Sequence, residues 1–183
     1  MRTCLLALTV FAFLVPLVSL GQEKTENPYK TAKVGDYVTY KATTAFGGKD
    51  IEITMKQIVT AQDDKEVAVK ITSIFMGQEL PAQTTKIDLN KPFDITSAGL
   101  LAKNQGKFEK TGEGKEKIKV GDTTYECHWI SGKVVADLKG KKIESDVKIW
   151  TSKSVPLSGM VKMETKATFA NVKLELSGSG SEK

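Results

Sequence analysis

Cys127 and His128 are the residues of this chain best suited to chemistry, because a thiol beside an imidazole is the pair used by cysteine nucleophiles. His128 is the single histidine, so a metal site built on several histidines is excluded. The two residues are adjacent in a segment with strand periodicity, which directs their side chains to opposite faces. We therefore expect a buried Cys127, an exposed His128 and no catalytic pair.

Carboxylates are numerous, but they lie on polar strand faces, as Glu144 and Asp146 do beside Lys148. A pair of glycosidase acids has no local spacing rule, so a hydrolase stays open as the least favoured function. Neither a phosphate-binding glycine loop nor a calcium-binding loop is present, and there is no cysteine cluster. The sequence predicts no catalytic residue, no metal and no cofactor.

The first 21 residues have the features of an export signal: Arg2, then an uncharged apolar run, then small residues at the expected cleavage site. A spanning helix needs about 20 apolar residues, and this run is shorter and contains Pro16, so a retained anchor is the less favoured alternative. Gln22 stands where a lipoprotein needs cysteine. We expect cleavage after 1–21 and a periplasmic or extracellular protein with no stable membrane anchor.

Lysine supplies nearly all the positive charge, since Arg2 is the only arginine among 27 basic residues. Removing 1–21 leaves 26 lysines against 22 acids, a net charge of +4. Phosphate and base recognition favours the forked guanidinium, so no nucleic-acid partner is expected. Cys127 is the only cysteine left, which excludes an intrachain disulfide, and the oligomeric state stays open.

Apolar residues recur at alternate positions between glycine-rich and aspartate-rich turns, which predicts antiparallel strands joined by hairpins. The expected fold is mainly β: a single antiparallel sheet of about nine strands, curved into a half-barrel or closed barrel, with at most one short helix near 97–103. The predicted parts are a signal peptide (1–21), a polar linker (22–33), the β domain (34–176) and a flexible Gly/Ser tail (177–183). One long interruption of the strand pattern is expected from about Asn90 to Lys117, where that helix is followed by a charged, mobile loop.

Aromatic residues near the middle of the chain are the candidate ligand contacts. Trp150 departs from the alternation of Ile149 and its neighbours, which places it on the opposite face or at a rim. An aromatic side chain at a rim is suited to close over an apolar ligand. A purely structural role is the favoured alternative, with Cys127 acting as a small buried hydrophobe. The candidate ligand-binding residues are Tyr125, Cys127, Trp129 and Trp150.

Three motifs carry a resemblance. They are Gly35, Asp36 and Tyr40 in the opening strand; Gly121, Tyr125 and Cys127 in mid-chain; and a closing pattern of Trp150, Ser152, Val155, Pro156, Gly159, Val161 and Lys162. In these motifs the chain resembles uncharacterised exported bacterial β proteins and, loosely, the β half-barrels of lipoprotein-localisation factors and related periplasmic lipid carriers. The resemblance implies a curved sheet around an apolar concavity and carries over no catalytic residue.

Two functions follow as hypotheses. The first is a non-catalytic carrier holding a lipid or another apolar small molecule. Its concavity would be lined by two strand faces: Tyr125, Cys127 and Trp129 on one, and Ile143, Val147 and Ile149 on the other. The second is a structural or protein-interaction domain with a filled core.

Overall fold

The computed structural model of this protein describes residues 26–46, 49–93, 107–138, 141–167 and 171–182. The predicted signal peptide and the predicted short helix lie outside these ranges. Within them, the one helix is a 3-10 turn at Pro28–Thr31. This part of the chain therefore holds no helix with the length and hydrophobicity needed to cross a bilayer.

The strands form one antiparallel sheet of nine, which confirms the predicted fold class. The strands are β1 (Asp36–Phe46), β2 (Lys49–Gln62), β3 (Glu66–Phe75), β4 (Gln78–Asp88), β5 (Lys107–Val120), β6 (Thr123–Leu138), β7 (Lys141–Thr151), β8 (Met160–Ala167) and β9 (Asn171–Ser181). Their order is β4-β3-β2-β1-β9-β8-β7-β6-β5, so every neighbouring pair is consecutive in sequence except β1 and β9. Because β4 and β5 lie at opposite edges, the sheet stays open as a half-barrel.

One face of the sheet carries most of the core. Tyr40 of β1 pairs with Met55 on β2 and with Leu176 on β9, and all three side chains are buried. The same alternation buries Leu174 on β9 and Ile149 on β7. Full burial of each such side chain contributes about 1.5–3 kcal/mol, so the period-two pattern of apolar residues stabilises the sheet.

The predicted polar linker is part of the domain where the structure describes it, at residues 26–33. Tyr29 is buried at 2% exposure. The Asn27 side-chain amide donates to the carbonyls of Asp88 (3.2 Å) and Lys91 (3.3 Å), and its oxygen accepts from the Tyr29 N–H at 3.1 Å. The linker prediction is wrong here because a polar stretch can dock through hydrogen bonds and one aromatic anchor.

Two glycine-rich segments expected to be mobile are strands. β5 includes residues 107–117, and β9 continues to Ser181 through the predicted flexible tail. Aromatic residues on the neighbouring strands cover the glycines. A Cβ at Gly114 would lie 2.8 Å from the Trp129 ring, and one at Gly180 would lie 3.2 Å from the Tyr37 ring. Main-chain pairing needs no apolar side chain of its own, which the prediction from composition overlooked.

Candidate functional site

The four candidate residues lie on one face of β6 and β7. Trp129 pairs directly with Trp150 across the two strands. Tyr125 and Cys127 share the Trp129 face of β6 because side chains alternate along a strand. Cys127 and Trp150 are both 3% exposed, and Tyr125 and Trp129 are half-buried. The structure therefore brings the predicted set together.

The predicted second wall of the concavity lies on the other face. Its three residues pair with even-numbered residues of β6: Ile143 with Ala136, Val147 with Gly132, and Ile149 with Ile130. The two sets cannot line one cavity, so that prediction is wrong. Alternation shows which residues of a strand share a face, but it does not fix the register against the next strand. β6 also changes its buried face along its length, from Cys127 to Val134.

The two tryptophan rings are covered by lysine side chains. Lys148 Nζ lies 4.2 Å from the ring centroid of Trp129 and 4.5 Å from that of Trp150, and Lys162 Nζ lies 4.9 Å from the Trp150 centroid. These are cation–π distances. Lys162 also contacts Glu164 at 2.8 Å, and this hydrogen bond lowers the pKa of the Glu164 carboxyl. The cluster packs Trp150 in place and leaves little of its ring open to a ligand.

Cys127 and His128 are not a catalytic pair. Burial raises the pKa of the Cys127 thiol, and the negative charge of Glu116 acts in the same direction. The thiol is therefore held in its unreactive protonated form. His128 is half-exposed, with Nε2 3.5 Å from a carboxylate oxygen of Glu113. Within the described residues, no three His, Cys, Asp or Glu side chains are placed to hold a metal ion.

A buried corner at residues 152–159 ends β7 and begins β8. The Ser152 N–H donates to the Gly159 carbonyl at 2.8 Å, which closes the corner. Leu157 and Gly159 have φ of 61° and 70°, a left-handed conformation that a strand cannot include. Val155 and Leu157 belong to the same core cluster as Cys127. The corner therefore ends β7 and begins β8 at a level that the neighbouring strands β6 and β9 extend beyond.

The early end of β7 and β8 leaves a gap in the sheet. The β6–β7 ladder stops at His128 and the β8–β9 ladder stops at Glu175. Residues 123–127 of β6 consequently pair only with β5. Leu176 and residues 178–181 of β9 pair only with β1, with a register shift at Ser177. Among the described strands, these two free main-chain edges border the gap from opposite sides.

A groove of about 600 Å³ occupies this gap. Val120 and Tyr125 supply its exposed apolar surface, and the buried Leu176 lies at its floor. Asp122 is the one charged residue of its lining. The remaining lining residues are small or polar. The full lining comprises Val120, Gly121, Asp122, Thr123, Tyr125, Leu176, Ser177, Gly178 and Ser179.

Of this lining, the sequence prediction had identified only Tyr125. Gly121 belongs to the mid-chain motif, but neither Gly121 nor Asp122 was predicted to line a site. Residues 177–179 were assigned to the flexible tail. One usable signal was the apolar alternation of β6, which begins at Tyr125, ahead of the β6–β7 ladder that stops at His128.

Comparisons with known proteins show a similarity of fold. No family model matches the chain, and no curated protein matches it. A Bacteroides fragilis structure described as a "putative exported protein with YmcC-like fold" superimposes with a TM-score of 0.51 at 11% identity, covering 81% of this chain and 97% of that one. A "putative lipoprotein" from Parabacteroides distasonis gives a TM-score of 0.49 at 11% identity, covering 81% and 96%. The chain thus shares its fold with a protein described as exported, in agreement with the resemblance that its sequence motifs carry.

Proposed function

We propose that this protein is a non-catalytic exported binding protein whose ligand lies in the groove between the β5–β6 turn and β9. The observation that carries the proposal is the groove itself. Its volume of about 600 Å³ is within the roughly 300–1,000 Å³ typical of ligand sites. Its lining combines three apolar residues with six small or polar ones, so it is more polar than most such sites.

The lining favours a ligand with an apolar part. Val120, Tyr125 and Leu176 offer contact to an acyl chain or an apolar side chain, and Asp122 and Ser177 offer polar contacts at the margins. A lipid or another apolar small molecule, the ligand expected from the sequence, is compatible with this lining. The protonated, buried Cys127 thiol supports a non-catalytic role. The leader at 1–21 supports export, as does the fold shared with a protein described as exported.

A structural or interaction domain with a filled core is the second candidate. Val38, Tyr40 and Leu174 are fully buried, so core side chains already occupy the face that was expected to hold a ligand. This observation moves the proposed site from the concave face to the groove. Binding in the groove and a filled core are compatible with each other.

The proposal is tested by amide NMR on labelled protein beginning at Gln22. Two probes are titrated separately: palmitate, for an apolar chain, and the acetylated hexapeptide KTVTVK-amide, for an extended peptide. Binding in the groove predicts shifts centred on residues 120–125 and 176–179, which are lost in Tyr125→Ser. The matched control Phe108→Ser removes another half-buried aromatic side chain, at the end of β5 remote from the groove, and should keep them. Absence of groove shifts with both probes would refute the proposal.

A further inference from the structure

The β9 edge at the groove lacks the charged side chains and the proline that exposed edges often carry. Natural sheets guard free edges with charged side chains or proline, since unpaired N–H and C=O groups attract other strands. β5 follows this rule with alternating lysine and glutamate, and β4 follows it with Pro81. The β9 edge at 176–181 reads Leu-Ser-Gly-Ser-Gly-Ser and has neither. Its one irregularity is a register shift against β1 at Ser177, and residues 178–181 pair with β1 in unbroken register.

We propose that the ligand of the groove is an extended polypeptide segment, which adds to the sheet as a strand along the free edge of β9. This inference rests on the proposed function, because it names the ligand class of the same groove. Strand addition of this kind uses main-chain hydrogen bonds for affinity and pockets for alternate side chains for selectivity. Both elements are present at the gap where β7 and β8 stop.

The dimensions of the edge suit a short segment. The regular part of the edge, residues 178–181, spans about 13 Å at roughly 3.3 Å per residue, which matches about four residues of a partner strand. Ser177, Gly178 and Ser179 are small, so they let a second backbone approach closely. A lipid chain would fill the apolar strip but would leave the hydrogen-bonding groups of the edge without partners.

The lining also limits the side chains of the partner. Apolar side chains at alternate positions would meet Val120, Tyr125 and Leu176. A basic residue at one end would meet Asp122, the single charge of the lining. The ligand class is therefore an extended segment that alternates apolar and polar residues and carries at least one positive charge.

The test compares KTVTVK-amide with the same peptide N-methylated at alternate backbone amides. N-methylation removes main-chain donors and blocks strand pairing while keeping every side chain. We expect the parent peptide to shift the amide signals of residues 176–181 and to slow their hydrogen exchange. We expect the methylated peptide to bind about ten-fold more weakly or worse, since each lost hydrogen bond lowers affinity.

A pair of variants tests whether the peptide binds in the groove. Gly178→Phe puts a large side chain in the groove, where a Cβ meets only Thr39 Cβ at 4.0 Å, so it should abolish peptide binding in a folded protein. Asn171→Phe makes the same addition at an exposed position of β9 away from the groove and should leave binding intact. Equal binding of the two peptides, or binding of palmitate alone, would overturn the inference and leave the groove as a ligand site. If neither the peptide nor palmitate binds, the groove is not a ligand site and the proposed function is refuted as well.

Discussion

Replacing single glycines by alanine tests whether aromatic rings lie across the glycine positions of the sheet. A Cβ at Gly132 would clash with the Phe108 ring and would lie 2.5 Å from the Glu109 carbonyl oxygen. A Cβ at Gly114 would lie 2.8 Å from the Trp129 ring. Overpacking of this kind costs about 1–3 kcal/mol. We expect the loss of unfolding free energy to be about 3 kcal/mol for Gly132→Ala, because the new Cβ meets a backbone atom. We expect a smaller loss for Gly114→Ala, because the Trp129 ring can move.

Gly178→Ala is the matched control. It is also a strand glycine, but its Cβ would meet only Thr39 Cβ at 4.0 Å, an ordinary contact distance. We expect a change within about 0.5 kcal/mol, or a gain of about 0.4–1 kcal/mol because alanine restricts the unfolded chain.

Urea unfolding, followed by circular dichroism, gives the free energy of unfolding of each variant. Tryptophan fluorescence gives a second readout, because displacement of the Trp129 indole by Gly114→Ala should change its emission, whereas Gly178→Ala should not. If Gly132→Ala proves as stable as Gly178→Ala, the stacking of Phe108 across Gly132 is refuted. If Gly114→Ala leaves both stability and emission unchanged, the packing of Trp129 across Gly114 is refuted.

Three further predictions concern stability. Burial raises the pKa of Tyr29 to about 12 and also raises the pKa of Tyr40, whereas tyrosine in the unfolded chain has a pKa of about 10. The free energy of unfolding is therefore unaffected below about pH 10 and falls above it by about 1.4 kcal/mol per pH unit for each phenol, as the unfolded chain loses its protons first. Tyr29→Phe should reduce this slope between about pH 10 and 12, as measured by urea unfolding at each pH. Met76 has φ of 50° at an exposed hairpin turn, so Met76→Asn should raise the unfolding free energy by about 0.5–1 kcal/mol in urea titrations; a loss would contradict this. Asn27→Ala removes the hydrogen bonds to Tyr29, Asp88 and Lys91 and should cost about 1–2 kcal/mol in the same assay, and an unchanged midpoint would show that the segment is not anchored there.

The sequence predicted most of the fold because a period of two is a local property. The alternation around Val38 and Tyr40, or around Val67 and Val69, identifies strands without knowledge of their partners. Glycine-containing turns such as Gly121 mark the ends. The same local reasoning missed the second half of β9 and the first half of β5, where the apolar cover comes from Tyr37 and Trp129 on neighbouring strands.

The candidate site was predicted only in part. Tyr125 was identified from its alternation and lines the groove, but Gly178 and Asp122 on the opposite and adjacent walls were not. Their role depends on where β7 and β8 stop, and the corner that stops them is distinguished by a left-handed Leu157. No spacing along the chain indicates that residue 125 and residue 178 border one gap.

By itself, the sequence determined a sheet of alternating strands and a limited set of residues capable of chemistry, with one thiol and one imidazole directed to opposite faces of a strand. The tertiary structure decided the register, which placed Trp129 against Trp150 and away from Ile149. It also decided the groove, because free edges arise only when strands distant in sequence end at different levels. Alternation assigns residues to faces, whereas long-range pairing determines which faces and edges meet.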